Sequence, residues 1–276
     1  ALGAVVFKKM ARKCPPLWFH YHHIENETQM RIFKSLPKYA DGITVDTDAT
    51  LVGLEKLCPD VKGRYVKTIK IGTDTDLFKP DKADMKIRNS LGIGKNDIVV
   101  LFVGHLIHRK GIDILMESWK NVCKDFKNAH LILIGRGPLE SLVKRYKETY
   151  GNIHIVPYVP TQKDLAKYYN ISDVFAFPTR LEGHGMTAAE AMACGMPVVT
   201  TNAAGVRRFV LDGKTGYKVN IDDVKQFTEK LKILLSDDSL RKRMGRAARR
   251  HIEENWTWDV SIDQTEKFME KVVNRK

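Results

Sequence analysis

The sequence predicts an α/β protein built on an open parallel sheet, and three observations carry that prediction. Short, largely apolar runs such as Ile98–Val103, Ala129–Ile134 and Val174–Phe177 alternate with amphipathic helical stretches, as parallel strands joined by crossover helices require. The runs do not alternate apolar with polar, which fits strands buried on both faces. Each putative strand ends in glycine, proline or a basic residue, and ligands of open parallel sheets gather at those ends.

The 276 residues suffice for one large or two ordinary domains, and 43% apolar with 29% charged residues allows a soluble protein with a packed core. Cys14, Cys58, Cys123 and Cys194 form no C-x-x-C pair, which argues against zinc and a disulfide framework and fits a reducing compartment. No apolar run approaches the length of a membrane-crossing helix. The net charge of +13 favours anionic substrates, with nucleic acid or an anionic membrane surface as sharper alternatives.

A first unit is expected over residues 1–80. Leu2 to Met10 reads as an amphipathic helix, Pro15-Pro16 break the chain, and Leu17 to Tyr21 reads as a strand. His20, His22 and His23 follow with Glu25 and Glu27, which invites a metal reading, but alternate strand residues face opposite sides, so the spacing is poor for one. A helix over Glu25–Leu36 and a strand over Val66–Ile71 follow. The pairs Asp46/Asp48 and Asp74/Asp76 read as strand-end and linker residues rather than metal ligands.

The second unit is expected over 81–256. A strand to Val103 ends at Gly104, and Lys110-Gly111 opens a helix to Phe126. The strand Ala129–Ile134 ends at Gly135-Arg136-Gly137-Pro138, and a helix follows from Leu139 to Tyr150. A short strand (Ile153–Val156), a helix (Gln162–Tyr169) and the strand Val174–Phe177 come next. Pro178 stops that strand, two glycines flank His184 in a turn, and an Ala/Met/Glu-rich helix runs to Gly195. Strand, glycine turn and helix aim backbone N–H groups and a positive helix end at one spot, a place for a phosphate. Glu182 and Glu190 beside it suit sugar or ribose hydroxyls, because an ionised carboxylate accepts from a diol. By the strand-end rule the phosphates meet Gly104, Arg109, Lys110, the Gly135 loop and the turn from Gly183 to Thr187. A strand at Val198–Thr200, a loop and short helix over Gly205–Leu211, and a strand at Gly216–Val219 follow. Helices over Asp222–Leu235 and Asp238–Asn255 close the unit, the second with basic residues Arg241, Lys242, Arg243, Arg246, Arg249 and Arg250 that read as a solvated face, with contact to a membrane surface as the alternative. Residues 257–276 form a last helix whose apolar Ile262, Phe268, Met269 and Val272 need a face to cover. With no aromatic ladder, nucleic acid is not an expected partner.

Glu182, seven intervening residues, Glu190 and then Ala191-Met192-Ala193-Cys194-Gly195-Met196-Pro197-Val198-Val199 resembles the donor signature of family-4 retaining glycosyltransferases of GT-B fold. Val103-Gly104-His105-Leu106-Ile107-His108-Arg109-Lys110-Gly111 resembles that family's diphosphate loop, with His105 in place of the usual arginine; Arg109 or Arg136 compensates for it. Ala204-Gly205-Val206-Arg207-Arg208 departs further, since many relatives carry glutamate where Arg208 stands. The resemblance implies a GT-B fold with a Rossmann-like donor domain over 81–256, a partial N-terminal Rossmann-like domain over 1–80 whose last strand lies in Ala40–Thr47 with a helix over Ala49–Leu57 after it, and a final helix over 257–276 crossing back to it. It implies transfer of a hexosyl group from a nucleotide-diphosphate sugar, the co-substrate, to a glycan or lipid-linked acceptor hydroxyl with retention, without metal or other cofactor. Catalysis falls to His22, Lys110 and Glu182, with His20 as second choice for the histidine. Substrate binding falls to Gly104, Arg109, Lys110, Gly183, His184, Gly185, Met186, Thr187 and Glu190, with Glu190 on the ribose. The expected location is cytoplasmic, with peripheral contact at the inner face of an anionic membrane.

The family's first domain begins with a glycine-rich acceptor loop absent here, and Ala1–Phe7 reads as the middle of a helix, so the chain is expected to be the C-terminal part of a longer protein. The rival readings are therefore a nucleotide-sugar-binding fragment without transfer activity and a GT-B sugar-nucleotide epimerase. A glycosidase pair is disfavoured: eight residues of helix between Glu182 and Glu190 would span about 12 Å, against roughly 5–9.5 Å for hydrolytic carboxylates.

Overall fold

Six parallel strands form the main sheet of this protein in the order β6-β5-β4-β7-β8-β9. They are β4 (Ile98–Val103), β5 (Ala129–Ile134), β6 (Ile153–Val156), β7 (Val174–Phe177), β8 (Val198–Thr201) and β9 (Gly216–Val219) in a computed structural model that describes residues 18–21, 40–59, 61 and 65–274. The chain lays down β4, β5 and β6 in one direction, then returns to place β7 on the other side of β4. The order reverses there, and open α/β sheets bind their ligands in the crevice outside the C-terminal ends of the strands on either side of such a reversal, here β4 and β7. Val99 through Phe102 of β4 and all of β7 are buried, so the continuous apolar runs sit where the sheet is covered on both faces.

Helices α2 (Met85–Ser90), α3 (Ile112–Asp125), α4 (Glu140–Tyr150), α5 (Gln162–Asn170), α6 (Met186–Ala193), α7 (Val224–Ser236) and α8 (Asp238–Asn255) surround this sheet. Their starts follow local chemistry: Thr161 accepts from the Asp164 amide at 3.1 Å and Asp223 from the Gln226 amide at 2.8 Å. α3 packs against α4 and α7, and α8 packs against α6 and α7.

Residues 73–255 form this compact unit; residues 1–72 and 256–276 form the other. In the latter, β1 (Trp18–Tyr21), β2 (Gly42–Val45) and β3 (Tyr65–Thr68) make a parallel sheet in that order, with α1 (Asp48–Leu57) capped by Thr47. The last helix, α9 (Trp258–Val273), packs on this sheet through Phe268, whose ring stacks on Tyr65 at 4.9 Å. A Cβ on Gly42 would overlap the Val272 side chain, so glycine permits the close approach of strand and helix.

Several boundaries differ from the sequence reading. Residues 108–110 form a 3-10 turn, and Gly111, at φ 72°, delays α3 to Ile112. A Cβ on Gly111 would overlap the Pro178 carbonyl, so that turn needs glycine twice over. Residues 204–209 form turns, with no helix over Gly205–Leu211, and α2 was not anticipated. Residues 73–80, expected with the first unit, cluster with the second. There the Arg249 guanidinium donates to the Thr75 and Phe78 carbonyls at 3.1 and 2.7 Å, and Phe78 meets Tyr169 edge-on. The basic run on α8 is also not uniformly solvated. Arg241 is buried, donating to the Leu234 and Leu235 carbonyls, while Lys242, Arg243, Arg246 and Arg250 are exposed. Asp46 accepts from the Thr50 hydroxyl, and Asp74 accepts from the amides of Asp76 and Leu77.

Gly245 in α8 lies so close to Gly195 that a Cβ would overlap the Gly195 carbonyl oxygen. Gly245→Ala, which in an open helix would stabilise by about 0.5–1 kcal/mol, is expected here to destabilise by roughly 1–3 kcal/mol. Urea denaturation measures the sign.

Candidate functional site

Four chain segments meet at the crevice between β4 and β7, and one guanidinium fastens them. Arg180, just past β7, holds both Asp113 carboxylate oxygens at 2.7 Å, Asp222 at 2.6 Å and the His108 carbonyl at 2.7 Å. Burial would raise the Asp113 carboxyl, but hydrogen bonding and charge from Arg180 hold it below its ordinary value. The Arg109 carbonyl accepts from the Arg180 amide at 2.9 Å and the Thr179 hydroxyl at 3.2 Å, locking the loop after β4 to the loop after β7.

That lock brings Lys110 against Glu182. The ammonium donates to Glu182 Oε2 in a largely buried ion pair, the two side chains being 13% and 10% exposed. The Phe177 ring lies beneath the ammonium, 5.0 Å away. Arg109 is exposed and reaches the Leu181 carbonyl at 3.3 Å. Lys110 and Arg109 therefore flank the turn that leads into α6.

The turn itself is tightly backed. Gly205 lies against it so closely that a Cβ would overlap the Glu182 carbonyl oxygen. Arg208, at the position where a glutamate was the commoner expectation, donates to the His184 carbonyl at 3.3 Å. Gly185, at φ 72°, caps α6, whose first amides, including those of Met186 and Thr187, have no acceptor within the helix. On the neighbouring side Gly104 follows β4 with φ 153°, and a Cβ on Gly135 would overlap the Gly104 carbonyl. His105 and Arg136 are both exposed on these loops.

Glu190 lies one turn into α6, where the buried Tyr169 hydroxyl donates to its Oε2 at 2.8 Å and lies 3.2 Å from the Thr187 carbonyl. Burial pushes the Glu190 carboxyl up to about 7, against the lowering effect of that hydrogen bond. The same burial, with Glu190 beside it, raises Tyr169 far above its ordinary value, so its proton stays in place.

The structure thus assembles Gly104, Arg109, Lys110, Glu182, Gly183, His184, Gly185, Met186, Thr187 and Glu190 on adjoining loops and one helix at the same sheet edge. His22 lies outside the described residues. His20 pairs in register with Thr44 at the β1–β2 edge. Glu182 stands in the turn ahead of α6, so a helical rise does not measure its separation from Glu190. Among the described residues, no group of three His, Cys, Asp or Glu side chains is placed to hold a metal ion. Sequence reasoning missed Arg180 and Tyr169. An arginine at a strand end with Asp113 in a neighbouring first turn was a usable signal for the former; Tyr169 carried none.

Residues 84–251 match the family described as glycosyl transferases group 1. The chain belongs to this family. Among its group 1 relatives, a GDP-mannose-dependent alpha-(1-6)-phosphatidylinositol monomannoside mannosyltransferase of Mycolicibacterium smegmatis is 34% identical over 68% of this chain and 51% of the relative. A D-inositol 3-phosphate glycosyltransferase of Corynebacterium urealyticum is 30% identical over 88% of this chain and 59% of the relative. The chain thus spans little more than half the length of these curated relatives. Among solved structures, Anabaena HepE in complex with UDP superposes with a TM-score of 0.82 at 21% identity, covering 98% of this chain and 75% of that one. That likeness shows a fold shared with the GT-B glycosyltransferases. No described helix is long and apolar enough to cross a membrane.

The raised Glu190 carboxyl has a stability consequence. The folded form binds the proton more tightly than the unfolded chain, so between about 4.5 and about 7 stability falls as pH rises. Glu190→Gln is expected to flatten this slope and to raise the melting temperature at pH 8. Thermal melts from pH 5 to 8 measure both.

Proposed function

We propose that this chain binds a nucleotide-diphosphate sugar at the β4–β7 crevice and serves as the donor half of a hexosyltransferase acting on an acceptor hydroxyl. The observation that carries the reading is the Lys110–Glu182 pair, set beside the glycine turn and the N-terminus of α6. A diphosphate arriving there meets the Lys110 ammonium, Arg109 and the first amides of α6, while Glu182 is released toward the donor sugar hydroxyls. Gly183, His184 and Gly185 line that sugar, Gly104 gives the phosphates close backbone approach, and Glu190 in its ionised form accepts from the ribose hydroxyls. As the sugar bond breaks, negative charge grows on the departing diphosphate. A fixed ammonium and oriented amides stabilise that charge without reorganising, which is how the reaction proceeds without a metal ion or other cofactor.

Retention of anomeric configuration and a role for His22 on the acceptor side rest on the sequence resemblance. The acceptor we propose is a lipid-linked glycan or a growing polysaccharide. Relatives bear names for phosphatidylinositol mannoside mannosylation and capsular polysaccharide biosynthesis, and the net charge of +13 suits an anionic acceptor or a cytoplasmic membrane surface.

The test uses a panel of nucleotide sugars with and without lipid and glycan acceptors, following nucleotide release. Lys110→Ala is expected to lower kcat by about 10²–10³-fold. Glu190→Ala is expected to weaken donor binding by roughly tenfold or more with a smaller effect on kcat. Binding without acceptor-dependent release would mark a donor-binding module, and epimer formation without release an epimerase. Unchanged binding in both variants would remove the crevice as the donor site.

A further inference from the structure

α6 begins at the crevice and ends at Ala193, so Gly195 lies toward the opposite edge of the main sheet, where β8 starts. There a groove of about 430 Å³ is lined by Gly195 together with Lys242, Arg246, Arg249, Arg250 and Glu253 of α8. The contact of Gly245 with Gly195 draws the helix axis down onto the turn, so the longer side chains stand around a hollow.

Four cations, Lys242, Arg246, Arg249 and Arg250, face one carboxylate, Glu253, around this groove, whereas some helical lysines of the unit are neutralised locally. Lys144 pairs with Glu140 and Lys167 with Asp164, each within one turn of helix. In the groove the one carboxylate, Glu253, is already held by Arg249 at 2.7 Å. The remaining Arg249 donors go to the Thr75, Phe78 and Ala193 carbonyls. Lys242 pairs with Asp238 at 2.7 Å at the rim. Arg246 and Arg250 are exposed, one turn apart on the same helix face, and have no hydrogen-bond or ion-pair partner among the described residues. Like charges at that spacing repel and destabilise a helix, and an anion seated between them reverses the sign. Guanidinium forks match the paired oxygens of a phosphate better than they match a chloride or a lone carbonyl.

We propose that this groove is a second anion site, distinct from the crevice, that holds a phosphate group between Arg246 and Arg250 with Lys242 beside it. The phosphate belongs either to a soluble phosphate compound or to an acidic lipid headgroup; the chemistry of capture is the same. The site is independent of the donor reading, since it shares no residue with the crevice.

Binding to the full chain is measured with inorganic phosphate by amide chemical-shift mapping, and with phosphatidylglycerol against phosphatidylcholine vesicles by co-sedimentation. Arg246→Ala or Arg250→Ala is expected to weaken binding about tenfold, and the pair more. Lys110→Ala leaves groove binding intact and removes any contribution from the crevice. Lys120→Ala/Lys144→Ala removes the same charge from other helices and serves as the control, with melting curves verifying that every variant folds. Shifts confined to residues 242–253 with phosphate identify a soluble ligand. Arginine-dependent binding to phosphatidylglycerol alone identifies a headgroup, and either supports the site. Absence of both, or equal weakening by the control pair, overturns it.

Discussion

The reversal of strand order at β4 is the constraint on which the site depends. Residues 72 positions apart, Lys110 and Glu182, are paired because their strands are neighbours in the sheet and both loops leave from the same edge. The Arg180 guanidinium makes that neighbourhood rigid by binding to the α3 N-terminal turn, the loop after β4 and the segment at Asp222 together. Without this anchor only the bonds to the Arg109 carbonyl would hold the lysine's loop to the glutamate's. A solvated ion pair on flexible loops contributes little and positions nothing.

The main sheet was largely legible in the sequence because strands covered on both faces must be apolar along their length. Ile98–Val103 and Val174–Phe177 could be read almost to the residue for that reason. The loops were legible as places where a ligand gathers, since glycine and basic residues mark strand ends. Pairings within the site were not, because they depend on which strands become neighbours. The donation from Tyr169 to Glu190 joins two helices separated by β7, and nothing in either helix's own pattern announces it. The start of α3 was misplaced for a local reason: the left-handed Gly111, pressed against Pro178, ends one turn and begins another.

The basic composition separates into two populations once the structure is considered. Arg88, Arg180, Arg241 and Arg249 are committed to carbonyl or carboxylate oxygens, where they fasten loops and helix ends. Composition treats them as equal to the exposed arginines of α8, and a helical charge pattern alone cannot tell an inward guanidinium from an outward one. Only the outward group is available to a partner. Every one of these charges still contributes to the field around the protein, but fewer cations are open to direct contact with a partner than the composition implies.

The carboxyl of Glu190 is held near neutrality by its enclosure, and if it meets a ligand as proposed, the hydrogen ion becomes a participant in that ligand's occupancy. Near pH 7 the unliganded carboxyl is divided between two forms, and a ligand whose hydroxyls select the charged one would expel protons to the medium as it docks. Its affinity would then rise with alkalinity, and the heat of association would vary with the ionisation enthalpy of the buffer. Enclosure of one carboxyl, strong enough to outweigh the Tyr169 hydroxyl that opposes it, would in this way tie occupancy of the proposed donor site to the acid–base state of the surroundings.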